Sequence, residues 1–333
     1  GVSGYAAMTN VPAQLRERLE QEVPLSSLAL RGEAKARDGT VKALFETADG
    51  RPLETVLMRY RDQSSGAAGR RSICVSSQSG CPLTCGFCAT GSMKFGRNLN
   101  VSEILDQALH FRREGQPRRD IQSRPLMPNG AVQAPISHCV FMGMGEPMLN
   151  LENVLGACER LPDIGISHRH TTISTVGWIP GIERLAESSM PLRLALSLHA
   201  PEDALRSELM PVNERYPLAD VVAAGRAFYA RKRRRVFVEY VMLAGVNDRY
   251  EQALALAQLL APRSQDDPRV FKVNLIPYNP TDAGGRASYH GSSRESIAAF
   301  RAALEKHGVD ATVRLTRGRD IAAACGQLAA KAA

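Results

Sequence analysis

Three cysteines fall within a short stretch of the chain, Cys81, Cys85 and Cys88, spaced Cys-x3-Cys-x2-Cys inside GCPLTCGFCATG. Gly80, Gly86 and Gly91 around them allow a tight loop. A structural zinc site takes four protein ligands, usually from two CxxC-like pairs, and no second pair or nearby histidine completes one here. A redox dithiol would not need the third thiol. A cluster of four irons takes one thiolate per iron, so three cysteines leave one iron open to another ligand. Three cysteines simply buried in a tight loop are the plain alternative. Cys74, Cys139, Cys158 and Cys325 bring the total to seven, an odd number that does not suit a disulfide scaffold in a chain of 333 residues without an export signal.

The elements that would position these thiols follow from periodicity. Short β-branched runs begin at Arg71, Ile136, His170, Leu192, Arg235 and Val270, and amphipathic stretches begin at Ser102, Leu151, Ile182, Ala219 and Tyr250. Strand-then-helix units in succession predict a parallel sheet whose strands are apolar on both faces, as an incomplete barrel or a doubly wound sheet. The site then lies at the carboxyl ends of the strands. Before residue 66 the text changes: PAQLRERLEQEV reads as a helix and residues 41–60 as a hairpin around Asp49-Gly50. The segments Glu114–Pro135 and Asn279–Ser293 read as surface loops. Hydrophobic residues at 44% and charged residues at 23% exclude wholesale disorder, collagen and coiled coil. No apolar run approaches the roughly 18 residues of a membrane helix, and the start lacks a signal-peptide pattern, so the expected compartment is the cytoplasm.

The Cys-x3-Cys-x2-Cys loop after the first strand of such a run resembles the radical S-adenosylmethionine (SAM) superfamily. The stretches CVSSQSGCPLTCGFCATG, VFMGMGEPMLN, TTISTVG, LALSLHAP, EYVML, NLIPYNP and TRGRDIAAACGQLA narrow this to the RlmN/Cfr family of adenosine methyltransferases, over about residues 50 to 330 in order. The resemblance implies an α/β fold: a partial (β/α)6 barrel over 66–310, a small N-terminal α+β accessory unit over 1–65 that is shorter than the family's helical domain, and a C-terminal segment over 311–333. It implies a 4Fe-4S cluster on Cys81, Cys85 and Cys88, and SAM contacts from Gly145, Glu146, Ser174, Ser197, Leu198, His199 and Asn279. It further implies that Cys325 carries a methyl group, that Cys74 resolves a protein–RNA adduct through a transient disulfide with Cys325, and that Glu54 accepts a proton. Read without it, Cys325 and Cys74 could be small packing residues, His199 and Asn279 satisfied strand-end polars, and the GxG at Gly143 weak evidence. Cys139 and Cys158 match no functional position and are expected to pack in the core.

The formal charge of +8, from 42 Lys and Arg against 34 Asp and Glu, leans toward a polyanionic partner. Arg112-Arg113, Arg118-Arg119, the run Arg231–Arg235 and Arg314, Arg317 and Arg319 are its candidate RNA surface, although charge runs are usually solvated faces. Aromatics at 5% argue against a base-stacking platform. The expected activity is methylation of carbon 2 of an adenosine in 23S rRNA, with tRNA as a second substrate, by a monomer served by a flavodoxin- or ferredoxin-type reductant. The alternatives are carbon 8 methylation giving antibiotic resistance or, in other classes, a radical SAM protein activase or an iron–sulfur electron carrier. The last two would need the cluster but neither Cys325 nor Cys74.

Overall fold

The structure is a computed structural model that describes residues 4–60, 69–114, 135–262, 264, 267–281 and 289–330. Most of the Glu114–Pro135 loop, with Arg118 and Arg119, and part of the Asn279–Ser293 loop lie outside the described residues.

The hairpin expected around Asp49-Gly50 is present as β2 (Val41–Thr47) and β3 (Pro52–Arg59), preceded by helix α1 (Ala13–Glu22) and strand β1 (Leu28–Lys35). Strand β1 has no sequence signature. Its residues after Leu28 are mostly exposed, so the buried/exposed alternation that marks a strand is missing, and pairing with β2 holds it in place. Strand β3 then pairs antiparallel with β4 (Arg71–Cys74), so the N-terminal strands continue the main sheet. From β4 onward the sheet is parallel, through β7 (Ile136–Phe141), β8 (Thr171–Thr175), β9 (Arg193–Ser197), β10 (Val236–Met242), β11 (Phe271–Pro277) and β12 (Asp310–Val313). A second, two-stranded sheet of β5 (Gln78–Ser79) and β6 (Arg97–Asn98) brackets the cysteine loop. Strand β12, only four residues long, is one more parallel strand than the periodicity predicts, and it spans the boundary drawn at 310.

Helices α2 (Val101–Glu114), α3 (Leu151–Arg160), α4 (Ile179–Glu187), α5 (Asp203–Leu209), α6 (Leu218–Lys232), α7 (Tyr250–Leu260) and α8 (Arg294–Lys306) follow their strands. Outward-facing strand residues such as Cys139, Phe141, Leu194, Leu196, Val238 and Val273 form one continuous core, and Cys158 on α3 joins it. The opposite face corrects the expectation of strands apolar on both sides. His138, Thr172, Arg193, Glu239, Lys272 and Asn274, each out of phase with the core residues by one position, line a cavity inside the sheet. The sheet curls to enclose that interior. Five strand-to-strand steps separate β7 from β12, about 24 Å in a flat sheet, yet Arg314 after β12 approaches the Met142 sulfur after β7 at 3.6 Å.

A fully buried arginine knits the carboxyl ends of β8 and β9. The Arg206 guanidinium donates to Asn213 Oδ1 at 2.7 Å, to the carbonyls of Leu198 and Tyr216 at 3.3 Å and to that of Val176. Burial lowers its pKa to about 10, and carbonyl oxygens, with Asp203 nearby, supply the negative charge it needs. Arg206→Leu should leave several buried carbonyls unpaired and cost about 3 kcal/mol or more. A urea midpoint equal to that of the parent would show that these carbonyls have other partners.

Candidate functional site

The cysteine loop follows β4 at its carboxyl end, and Gly91 lets it fold on itself: a Cβ there would lie 2.9 Å from the Cys85 carbonyl. Cys81, Cys85 and Cys88 all line one cavity of about 150 Å³. Burial pushes the Cys81 and Cys85 thiols up, Cys81 to about 12, and for both the proximity of Cys88 adds to it. Among the described residues no three His, Cys, Asp or Glu side chains are drawn to ligating distance of a common point, so the loop would tighten as metal binds. The donor set itself, three soft thiols from one eight-residue loop, fits an iron–sulfur cluster with one open iron.

Around the same cavity stand residues from the ends of successive strands. After β7 comes Gly143-Met144-Gly145-Glu146. Gly145 has φ +98°, and a Cβ there would lie 2.6 Å from Gln78 Cβ, so glycine is required. The Gln78 amide oxygen accepts from the Glu146 N–H at 2.8 Å, fixing the turn from the second sheet. The Glu146 carboxylate accepts from Met148 N at 3.1 Å and Val176 N at 3.0 Å. Burial nonetheless raises its pKa to about 7, so near neutrality it could gain from a cationic ligand. Ser174 is the penultimate residue of β8, and its hydroxyl lies 3.4 Å from that of Ser197, which ends β9.

His199 adopts φ 60°, a conformation uncommon for a residue with a side chain. Three contacts hold it there: Nδ1 accepts from Val241 N at 3.0 Å, its carbonyl accepts from Asn247 at 2.8 Å, and its ring packs edge-on against Phe87 of the cysteine loop at 4.7 Å. Leu198 points into the core, so only its backbone belongs near the site. Asn279 donates to the Cys325 carbonyl at 3.2 Å, and its buried Oδ1 has no partner among the described residues. An unpaired buried acceptor beside the cysteine loop is a place for a ligand donor.

Cys325 is exposed and lies on an irregular segment, where Gly326 at φ +83° makes the turn. It faces the cysteine-lined cavity and also a small cleft shared with Cys74. The structure therefore brings the two distant cysteines together. Both are free thiols, so the structure holds no disulfide of the kind the resemblance implied as a transient step. Although the residue as a whole is exposed, its sulfur faces these cavity walls, which raise the thiol, and the Arg314 guanidinium lining the same cleft opposes this. Glu54 occupies neither cavity. Its carboxylate accepts from Ala329 N at 2.9 Å and Ala330 N at 3.0 Å and pairs with Lys42 at 2.8 Å, beneath the segment that carries Cys325.

Two residues went unrecognised as site residues in the sequence. Arg314 reads there as surface charge, yet it lies inside, 3.6 Å from Glu239. Glu239 itself, on β10, carried no signal beyond the EYVML stretch. The basic run Arg231–Arg235 is likewise corrected: it precedes β10, at the opposite end of the strands from the cysteine loop, and Lys232, Arg234 and Arg235 are engaged with Met190 and Arg169 carbonyls and with Asp310.

Burial, with Arg206 nearby, holds the His199 imidazole neutral, its pKa down at about 3. A histidine depressed in the folded state leaves stability intact above its ordinary pKa and removes it as pH falls toward the folded value. Below about pH 6.5 stability should therefore decline by roughly 1.4 kcal/mol per pH unit from this residue. His199→Gln should flatten that slope between pH 6.5 and 4.5 in urea titrations, and an unchanged slope would remove His199 as its source.

A sequence profile described as the radical SAM superfamily matches residues 129–257. A probable dual-specificity RNA methyltransferase RlmN from Chloroflexus aurantiacus is 46% identical over 331 residues, covering 97% of this chain and 82% of that protein. The corresponding Thermus thermophilus protein is 42% identical, covering 99% and 86%. The crystal structure of a radical SAM methyltransferase from Sphaerobacter thermophilus superposes with a TM-score of 0.86 at 40% identity, covering 99% of this chain and 89% of that one.

Proposed function

This chain belongs to the RlmN family of radical SAM RNA methyltransferases, and from that premise we propose that it methylates carbon 2 of an adenosine in 23S rRNA and in tRNA through a methylated Cys325. It is a SAM-dependent enzyme acting on RNA. The observation that carries the finer reading is that Cys325 faces both the cavity of Cys81, Cys85 and Cys88 and the cleft of Cys74. An electron carrier or a protein activase has no use for that pair. Carbon 2 is chosen over carbon 8 because it is the housekeeping activity, and the relatives above carry the dual-specificity name.

Carbon 2 of adenine is electron-poor and cannot attack a sulfonium methyl group, so the chain must supply another route. Cys81, Cys85 and Cys88 would hold a 4Fe-4S cluster, which when bound supplies the electron for reductive cleavage of SAM to a 5′-deoxyadenosyl radical. Glu146, Ser174, the Ser197–His199 backbone and Asn279 would orient SAM at the strand ends.

Cys325 first accepts a methyl group by displacement: its thiolate forms the new S–C bond as the methyl–sulfonium bond of one SAM breaks and S-adenosylhomocysteine leaves. It then gives up one hydrogen atom of that methyl to the 5′-deoxyadenosyl radical derived from a second SAM, and the resulting carbon radical adds to carbon 2, leaving enzyme and RNA joined through a CH2–S link. Glu54 takes the ring proton once Ala329 and Ala330 release its carboxylate, and the remaining electron would pass to the oxidised iron–sulfur centre that Cys81, Cys85 and Cys88 hold. The Cys74 thiolate then attacks the Cys325 sulfur, the S–S bond forms, the C–S bond breaks, and its electron pair is protonated to complete the methyl group. A flavodoxin- or ferredoxin-type protein would supply electrons to the cluster, and a thiol reductant would restore Cys74 and Cys325. We place the enzyme in the cytoplasm as a monomer.

Cys325→Ala should abolish RNA methylation while reductive SAM cleavage continues, and methylation by this variant would sink the mechanism. Cys74→Ala should instead accumulate a covalent protein–RNA adduct, seen as a shifted band of labelled RNA in a denaturing gel; free RNA alone would remove its resolving role. Mass spectrometry of nuclease-digested product should give 2-methyladenosine, and 8-methyladenosine would reassign the activity.

A further inference from the structure

The interior of the curled sheet has two chambers. The upper one is the cysteine-lined cavity, and the lower one, of about 320 Å³, opens at the amino ends of the strands, with Glu239, Arg314 and Met142 shared between them. The inward positions that lower chamber exposes are cationic: Arg193 on β9, Lys272 on β11 and Arg70 just before β4, with His138 and His170 stacked face to face at 4.3 Å. Among the described residues Glu239 is the one carboxylate of its lining, and it is engaged already, accepting from Asn274 at 2.8 Å and lying 3.6 Å from Arg314. Neither Arg193 nor Lys272 pairs with a carboxylate among the described residues. Arg193 lies over the Phe237 ring at 6.0 Å, and Arg70 over the Tyr60 ring at 4.5 Å.

We propose that this lower chamber binds a small phosphate-bearing anion, of the size of pyrophosphate or a nucleoside diphosphate, held by Arg193 and Lys272 with Arg70 at the rim. The unpaired Arg193 and Lys272 side chains carry this reading, and His138, pressed down to about 4 by burial and then by Arg70, His170 and Arg193, agrees with it. Phosphate oxygens satisfy such a set best, because guanidinium and ammonium donors both gain from a multiply charged acceptor. The stacked imidazoles and Phe237 offer ring surface for a base. An RNA helix is too wide to enter, and the chamber opens at the far end of the strands from Cys325. A β-strand such as β10, seven residues long, spans about 23 Å, so the occupant is a molecule separate from the methylated base.

Titration calorimetry of the full chain with pyrophosphate and with ADP, at ionic strength matched with sodium chloride, tests this directly. One saturable site per chain is expected, with affinity at least about tenfold weaker in Arg193→Gln/Lys272→Gln, while the unliganded variant melts as the parent does. Lys272→Gln alone serves if the double variant does not fold. Absence of saturable heat for both anions, or heat unchanged in the variants, overturns the proposal. So does a result in which only a 23S rRNA fragment loses affinity in the variants, which would make the cations an RNA backbone contact.

Discussion

The buried Glu54 carboxylate is the contact on which the arrangement of the site depends. It lies on β3, in the N-terminal part of the sheet, and receives the Ala329 and Ala330 N–H groups and Lys42. A carboxylate with no solvent exposure is tolerable only when such partners are in place, and removing one of them strands the charge. The contact therefore joins the first strands to the last residues of the chain. Further bonds continue along the same segment: Thr90 donates to the Leu328 carbonyl at 2.6 Å, Ala89 N to that of Gly326 at 2.8 Å, and Gln327 to that of Pro280 at 2.7 Å. Cys325 is held by its neighbours in sequence while its own side chain stays free. That suits a residue which must visit two partners, because the thiol can turn between the two cavities while Leu328 stays packed in the core and the backbone on either side remains bonded.

The polar inner face is the second constraint. An eight-stranded barrel fills its interior with apolar layers; this curled sheet instead carries charged and hydroxyl side chains inward and keeps its apolar residues for the helices. Glu239 and Arg314 divide the interior, and the Arg314 guanidinium offsets the burial that raises the Glu239 carboxyl. The upper chamber can then hold sulfur chemistry, while the lower one keeps its positive charge.

Much of the sheet was legible because its outward face is regular. The runs at Ile136, Leu192 and Val270 carry β-branched and aliphatic residues on the face that packs on helices, and this pattern alone predicts parallel strands. What escaped notice had no apolar pattern to show. Strand β1 is solvated along most of its length, and β12 is too short for periodicity. Arg314 could not be told from Arg317 and Arg319 a few residues on, since only the curl of the sheet decides which of three nearby arginines turns inward. The cysteines behave oppositely. Spacing marked Cys81, Cys85 and Cys88, and burial in the core accounts for Cys139 and Cys158, but the meeting of Cys74 with Cys325 is a tertiary fact that only family resemblance anticipated.

That meeting also explains how two thiols can take turns. Burial raises Cys74 to about 12, the facing Cys325 adds to it, and Arg314 opposes both. Two thiolates beside one guanidinium repel each other, so only one is readily charged at a time. Under the proposed chemistry Cys325 must be the nucleophile first and Cys74 last. Once Cys325 is alkylated it can no longer carry a negative charge, its effect on Cys74 disappears, and the full field of Arg314 falls on the thiol that acts next. Under that chemistry one shared cation would serve the two thiols in turn.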